Sequence, residues 1–263
     1  MNKTQRTLLV IYIPITLLII ILHNFCPEQK MVLYFKYVIM ISLFLWAITM
    51  KKEIQEQKIM SLSFLFLVFA DFFLVFVNTI DFWNKDFSTF GAAGFLISYI
   101  CLIVAYQKNF KIGKQEILAA LPILSIFIYV IISLRPYITG FMLLGALIFM
   151  MVLCYMTWTS ICTIFRGYFT LKSAWIIAVS GSLMFICDIG VAFSKFKPIY
   201  SGIHVLWLTN IIWATYIPGW TLLAVIISEK NINENVRRLT SDGCKCNNKK
   251  WGDMCNKSRK TIL

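Results

Sequence analysis

The amino-acid sequence predicts an all-α membrane protein, a polytopic bundle of eight transmembrane helices. Hydrophobic residues make up 59% of the chain and charged residues 14%, with a mean hydropathy of +0.77. Soluble domains are roughly 45–50% apolar and about 25% charged. One globular core cannot hide so much apolar surface, so lipid must be the solvent for most of the chain. The apolar residues also fall into segments of about 20, the length that crosses a hydrocarbon core of about 30 Å.

Eight such segments follow one another with short connections. They cover residues 8–25, 31–50, 59–80, 90–107, 117–134, 137–160, 174–194 and 203–228. The first is long and lacks a small-residue cleavage site, so we interpret it as a span and not as a signal peptide. We therefore expect one transmembrane domain over residues 1–230, without a soluble domain.

The tail, residues 231–263, is polar and basic and has no apolar periodicity. This composition is typical of a disordered segment that can lie on a membrane surface. It contains Cys244, Cys246 and Cys255, whereas the two histidines, His23 and His204, lie far away near the opposite face. A structural zinc site usually needs four ligands. We therefore expect reduced cytoplasmic thiols and no metal site in the tail.

The distribution of lysine and arginine predicts the orientation of the bundle, because cytoplasmic loops carry an excess of both. The side that holds both termini has Lys3, Arg6, Lys51, Lys52, Lys58, Lys108, Lys111, Lys114, Arg166, Lys172 and nine basic residues after position 229. The other side has Lys30, Lys85, Arg135, Lys195 and Lys197. Both termini are therefore predicted to be cytoplasmic, in the cell membrane. The net charge of +13 marks this face and requires no nucleic acid as a partner.

Two aspartates lie well inside predicted spans. Asp71 stands in FLFLVFADFFLVFV, residues 64–77, and Asp188 in SGSLMFICDIGVAF, residues 180–193. An Asp at the bilayer centre costs about 2.5–3.5 kcal/mol on insertion scales, so such a residue normally faces the bundle interior and is a functional candidate. At 1.5 Å per residue, they lie roughly 18 Å and 21 Å from the cytoplasmic ends of their spans. We expect them at similar depth, facing a shared cavity.

Neighbouring residues on the same helix faces favour this inward orientation. Asn78 follows Asp71 by seven residues and is predicted to orient its carboxyl. Gly181 precedes Asp188 by seven residues and would let a helix or a ligand approach, and Ser182 adds a hydroxyl nearby.

A weak internal repeat links the two aspartate segments. Each Asp is followed five residues later by a phenylalanine, Phe76 in span three and Phe193 in span seven. Four spans separate these two helices, so they run in the same direction. A parallel duplication of a four-helix unit would explain the pattern.

The residues alone leave three functions open for the aspartate pair. Two carboxyls placed close together do not both ionise cheaply, which leaves one acid and one base at neutral pH. That combination suits hydrolysis, in which one group protonates the substrate and the other activates water. The same pair would also suit a transporter coupled to protons or cations. In the third interpretation each Asp only accepts hydrogen bonds that hold helices together.

The segments around both aspartates resemble the YhhN-like family, the lysoplasmalogenase family of multipass membrane proteins. The matching positions in span seven are Gly181, Leu183, Phe185, Asp188, Ala192 and Phe196. Ala70 and Asp71 in span three, followed by Gly91 and Phe95 in span four, are similar to the family pattern. The resemblance covers residues 1–230.

The resemblance implies a specific reaction and a catalytic pair. Members of this family hydrolyse the vinyl ether bond of lysoplasmalogens to a fatty aldehyde and a glycerophospho-base. The resemblance thus implies a reaction that needs no cofactor. Asp71 and Asp188 would form the catalytic pair on a membrane lysophospholipid, with Tyr99 and Tyr216 as further candidates for substrate binding.

The chain departs from the family pattern at several positions, including Ala70, where Gly is usual. Ser98-Tyr99 replaces the usual Ala-His, Trp220 replaces a Gln after Tyr216, and Cys187 replaces the Ser before the second Asp.

Overall fold

A computed structural model describes residues 3–25, 30–77, 87–200, 205–230 and 232. The helices are α1 (Lys3–Phe25), α2 (Lys30–Thr49), α3 (Gln55–Asp71), α4 (Ser88–Tyr106), α5 (Lys114–Leu134), α6 (Gly140–Arg166), α7 (Leu171–Phe196) and α8 (Leu206–Ile227). A π-helical turn, Phe72–Phe76, continues α3, and 3₁₀ turns cover Arg135–Tyr137 and Pro198–Tyr200. Within the described ranges eight helices are long and apolar enough to cross a membrane. The predicted fold class is therefore confirmed.

Several helices extend into polar sequence beyond the predicted spans. The sixth continues to Arg166 instead of ending near residue 160, and the third begins at Gln55 instead of residue 59. Capping decides these ends. Gly167 adopts φ +62°, a left-handed conformation that favours glycine and ends α6. At the start of α3, the side chain of Gln57 accepts a hydrogen bond from the backbone N–H of Glu53, with N···O 2.7 Å.

The helices alternate in direction through the bundle. We call the side where α1 begins and α8 ends the terminal face, and the other side the opposite face. The last helix, α8, is the most enclosed and packs against α7, α1, α2 and α3. Helices α3 and α4 form a second close pair, and α6 contacts α4, α5 and α7. Helices α3, α4, α7 and α8 thus surround the interior of the bundle.

Small residues let α3 and α4 approach closely just before Asp71. A Cβ atom added to Gly94 would lie 2.9 Å from the Cβ of Ala70, and one added to Gly91 would lie 3.0 Å from the Ala70 carbonyl oxygen. Only glycine fits at these positions without moving a helix. The close contact sets the position of Asp71 relative to α4.

Polar side chains hold the helix ends together at the terminal face. The amide nitrogen of Gln57 donates to the carbonyls of Ile227 (3.0 Å) and Glu229 (2.8 Å), where α8 ends. The backbone N–H of Thr170 donates to the carbonyl of Ile232 at 2.9 Å, and Ile232 is buried. The chain therefore still contacts the bundle at residue 232, the second residue of the predicted tail. The other residues of the tail lie outside the described ones.

Candidate functional site

Asp71 lies at a change of helix type. It is the last residue of α3, and the π-helical turn begins at Phe72. A π turn inside a helix is rare and often occurs at functional sites, because it widens the helix and redirects the side chains around it. Tyr37 of α2 packs against this turn, with its ring centroid 5.7 Å from that of Phe76.

Each of the two aspartates accepts a hydrogen bond from a tyrosine on another helix. The hydroxyl of Tyr216 in α8 donates to Asp71 Oδ2 at 2.7 Å. The hydroxyl of Tyr99 in α4 donates to Asp188 Oδ2 at 2.6 Å. Both distances are at the short end of the usual range for O–H···O hydrogen bonds. We call Asp71, Tyr99, Asp188 and Tyr216 the Asp–Tyr cluster.

The two hydrogen bonds cross between the halves of the chain. Tyr99 belongs to the fourth helix and bonds an aspartate of the seventh, whereas Tyr216 belongs to the eighth helix and bonds an aspartate of the third. Asp71 and Asp188 are 117 positions apart, and so are Tyr99 and Tyr216. Equal offsets and reciprocal bonds are the arrangement expected if a four-helix unit was duplicated in parallel and its two copies face each other.

Electrostatic interactions link the four polar side chains inside an aromatic shell. Asp71 interacts with Asp188, and Tyr99 interacts with both carboxyls. Trp220 stacks on Tyr99 with ring planes 11° apart and centroids 6.4 Å apart. Phe95 contacts both tyrosine rings, at 6.1 Å and 6.3 Å. This shell is apolar, so it lowers the effective dielectric constant around the polar groups.

The two aspartates differ in accessibility. Asp71 is 4% exposed, whereas Asp188 is only partly buried. Asp188 therefore retains some accessible surface, whereas Asp71 is enclosed. This difference gives the pair two distinct environments, as an acid and a base require.

The other predicted site residues are not at the cluster, as far as the structure describes them. Asn78 lies outside the described residues, and Tyr216 is the group that bonds Asp71. Gly181 faces α6: a Cβ added there would lie 2.2 Å from Ser160 Oγ, so the glycine serves helix packing and leaves no space for a ligand. Ser182 donates to the carbonyl of Ala178 within its own helix.

Trp220 and Cys187 occupy two of the positions where the chain departs from the family pattern. Trp220 is fully buried, and its indole N–H has no hydrogen-bond partner. Cys187 is buried and lies within electrostatic range of Asp188 and Asp71. The cluster therefore retains its carboxyls, but its wall beside Tyr99 is an indole and its neighbour at Asp188 is a thiol.

Lys36 is a buried residue near the cluster that sequence reasoning missed. It is 2% exposed, and its ammonium lies 3.6 Å from the ring centroid of Trp213. Trp213 in turn contacts the ring of Tyr216, with centroids 5.7 Å apart. The signal was present in the sequence: a lysine stands inside span two at position 36, among aromatic residues.

A separate polar group lies at the terminal face. Arg166 of α6 forms a buried ion pair with Glu116 of α5, with Nε···Oε1 2.8 Å. A cavity of about 410 Å³ borders this pair, with Lys111 and Lys114 among its lining residues. In the described ranges no group of three or more His, Cys, Asp or Glu residues has a geometry that could hold a metal ion.

The fold and the cluster together define a class of protein: a helical multipass membrane protein with a paired, tyrosine-bonded aspartate site inside the bundle. The sequence model of the YhhN family matches residues 31–227, about three quarters of the chain. The chain therefore belongs to the YhhN family. Neither the curated proteins nor the solved structures that were compared include a match.

Proposed function

We propose that this protein is a lysoplasmalogenase-like hydrolase, which cleaves the vinyl ether bond of lysoplasmalogens within the membrane. The observation that carries the proposal is the Asp–Tyr cluster: two carboxyls from different helices, each held by a tyrosine hydroxyl and within electrostatic range of one another. Membership of the YhhN family supports it, because the sequence resemblance described above implies this activity for the family.

The two aspartates take different roles because their environments differ. Asp188 has accessible surface, so it is the group that contacts the substrate and transfers protons. Asp71 is enclosed and bonded to Tyr216, so it acts as the fixed negative charge that stabilises a developing cation. Tyr99 orients the Asp188 carboxyl through its hydrogen bond.

The reaction needs only a proton donor, a stabilising charge and water. The carboxylic acid of Asp188 gives its proton to the vinyl carbon remote from the ether oxygen, which leaves an oxocarbenium ion at the other vinyl carbon. Water adds to that carbon and returns a proton to the Asp188 carboxylate. The hemiacetal then breaks its carbon–oxygen bond to release the fatty aldehyde and the glycerol hydroxyl. This use of two carboxyls follows the logic of glycosidases.

The substrate enters from the lipid, because its single fatty chain lies among the acyl chains of the membrane. Both aspartates lie nearer the opposite face: 16 residues of α3 precede Asp71 and 17 residues of α7 precede Asp188, about 24–26 Å of helix from the terminal face. With the termini in the cytoplasm of a cell, as the basic residues predict, the substrate would belong to the outer leaflet.

The test is aldehyde release by the purified protein in lipid nanodiscs supplied with an alkenyl lysophospholipid. The parent should release aldehyde, whereas Asp188→Asn and Asp71→Asn should lower the rate by at least about 100-fold, the lower range of general acid catalysis. In D₂O the aldehyde, trapped at once by reduction, should carry one deuterium on the carbon beside the carbonyl carbon. That label is diagnostic of proton transfer to carbon.

The matched control is Glu53→Gln, the same change at an exposed carboxylate between α2 and α3. It should leave the rate unchanged. Unfolding curves of both aspartate variants verify that they fold. Absence of aldehyde from the folded parent, or full activity in Asp188→Asn, would contradict the proposal.

A further inference from the structure

Lys36 is a buried cation whose hydrogen-bonding capacity is unused. Its side chain lies in α2, 2% exposed, and Nζ has no hydrogen-bond partner. Its close contact is the face of the Trp213 ring, 3.6 Å away. An ammonium group has three donors, and a cation–π contact satisfies none of them. A lysine kept for structure alone would normally be paired with a carboxylate or with carbonyl groups.

The neighbouring carboxyls do not serve as that partner. Asp71 and Asp188 accept their bonds from Tyr216 and Tyr99. The described ion pairs of the buried glutamates, Glu56 with Lys108 and Glu116 with Arg166, lie at the terminal face. The charge of Lys36 is therefore balanced by no anion of the described protein, which suits an anion that arrives with a ligand.

Lys36 lies about one helical turn from the Asp–Tyr cluster, nearer the opposite face of the bundle. Trp213 and Tyr216 are three residues apart on α8, about 4.5 Å along its axis. Trp213 holds the ammonium of Lys36, and Tyr216 bonds Asp71. Tyr37, the residue after Lys36, lies within electrostatic range of Asp71. A molecule that reaches the cluster from the opposite face would therefore pass Lys36 first.

A glycerophospholipid with one chain suits an ammonium that lies between the Asp–Tyr cluster and the opposite face. Only a few covalent bonds join the ether carbon to the phosphorus, a span of roughly 6–8 Å at about 1.5 Å per bond. We propose that Lys36 binds the phosphate of a lysophospholipid whose ether carbon lies at Asp188. The inference rests on the proposed function, and it makes the phosphate a requirement for recognition.

Polar groups nearer the opposite face extend the same path. His23 of α1 lies within electrostatic range of Lys36. The amide nitrogen of Asn210 in α8 donates to Asn24 at 3.0 Å, whereas its buried oxygen has no hydrogen-bond partner. This unused acceptor lies about one helical turn from Trp213 on α8 and suits an N–H or O–H donor of the head group, such as ethanolamine.

The experiment measures binding and needs no turnover. Ligands are a saturated 1-alkyl lysophosphatidylethanolamine, which has no vinyl ether to cleave, the 1-alkylglycerol with the same chain, and inorganic phosphate. The readout is the shift in unfolding midpoint of the protein in nanodiscs of neutral lipid. The parent should bind the lysophospholipid about ten- to hundredfold tighter than the alkylglycerol, the range that a charge-assisted hydrogen bond supplies. Inorganic phosphate alone should bind far more weakly, because it lacks the chain; equal affinity would assign the site to free phosphate and overturn the lipid proposal.

Three variants identify the residue. Lys36→Met should abolish the preference for the phosphate-bearing lipid, and Lys36→Arg should retain most of it. Lys195→Met removes an exposed cation at the same face and should leave the preference intact. Without ligand, Lys36→Met should be at least as stable as the parent, since it removes an unpaired buried charge. If Lys36→Met is less stable than the parent but still prefers the phosphate-bearing lipid, Lys36 has a structural role and the proposal is overturned.

The outcomes separate this inference from the proposed function. A preference that depends on Lys36 in a protein that releases no aldehyde would retain the phosphate site and refute the hydrolase. Aldehyde release together with a preference that survives Lys36→Met would retain the hydrolase and refute the phosphate site.

Discussion

The crossed pairing of the Asp–Tyr cluster predicts which double variants are coupled. Tyr216→Phe removes the hydroxyl that bonds Asp71, and Asp71→Leu removes the acceptor with little change in size. If the two groups act only through their mutual bond, the double variant loses no more stability than the more damaging single variant. Tyr216→Phe combined with Asp188→Leu breaks two separate bonds, so those two losses should add.

The magnitude follows from burial and bond type. Hydrogen bonds between membrane helices average about 0.6 kcal/mol and reach about 1.7 kcal/mol, whereas bonds to charged groups in proteins contribute about 1.5–3 kcal/mol. The Tyr216–Asp71 bond is buried and 2.7 Å long, so a coupling energy of about 1–2 kcal/mol is expected. The Tyr99–Asp188 bond is more accessible, so water replaces it more easily and about 0.5–1 kcal/mol is expected.

The assay is reversible unfolding in mixed detergent micelles, followed by circular dichroism, with the free energy of unfolding measured for each member of the two cycles. The mismatched pair, Tyr216 with Asp188, is the internal control and should show a coupling below about 0.5 kcal/mol. Equal coupling in the matched and mismatched cycles would refute the crossed pairing. It would also remove the basis for giving the two carboxyls separate partners.

Two further predictions concern helix packing. Gly94→Ala places a methyl group 2.9 Å from the Cβ of Ala70, so it should lower the free energy of unfolding by about 1–3 kcal/mol, while Gly145→Ala, with open space around it, should not. Glu116→Gln leaves the buried Arg166 without its ion pair and should destabilise the protein by about 3–5 kcal/mol, whereas Glu116→Leu combined with Arg166→Met should restore most of that loss. Thermal unfolding measured in the same detergent checks both predictions. An unaltered midpoint in Gly94→Ala or in Glu116→Gln would contradict the corresponding packing contact.

Hydropathy and position along a helix were sufficient for the architecture. Backbone polar groups in lipid must be hydrogen-bonded within their own segment, and a helix achieves this. Eight long apolar segments therefore predict eight helical spans. The same reasoning placed Asp71 and Asp188 at similar depth, because a helix rises by a constant distance per residue. The helix ends were less predictable from hydropathy, since local caps at Gly167 and Gln57 extend α6 and α3 into polar sequence.

The partners within the site were decided by the tertiary structure. No local property of the sequence pairs Tyr99 with Asp188, 89 positions away, or Tyr216 with Asp71, 145 positions away. The sequence also did not determine whether Gly181 faces a ligand or another helix; in the structure α6 packs against it. Lys36 stood in the sequence as one basic residue in an apolar span, and only its burial against Trp213 distinguishes it from a lysine whose charge reaches the interface. By itself the sequence determined the helices and the depth of their carboxyls, because these depend on local hydropathy and rise. Which side chains meet depends on how whole helices rotate and pack.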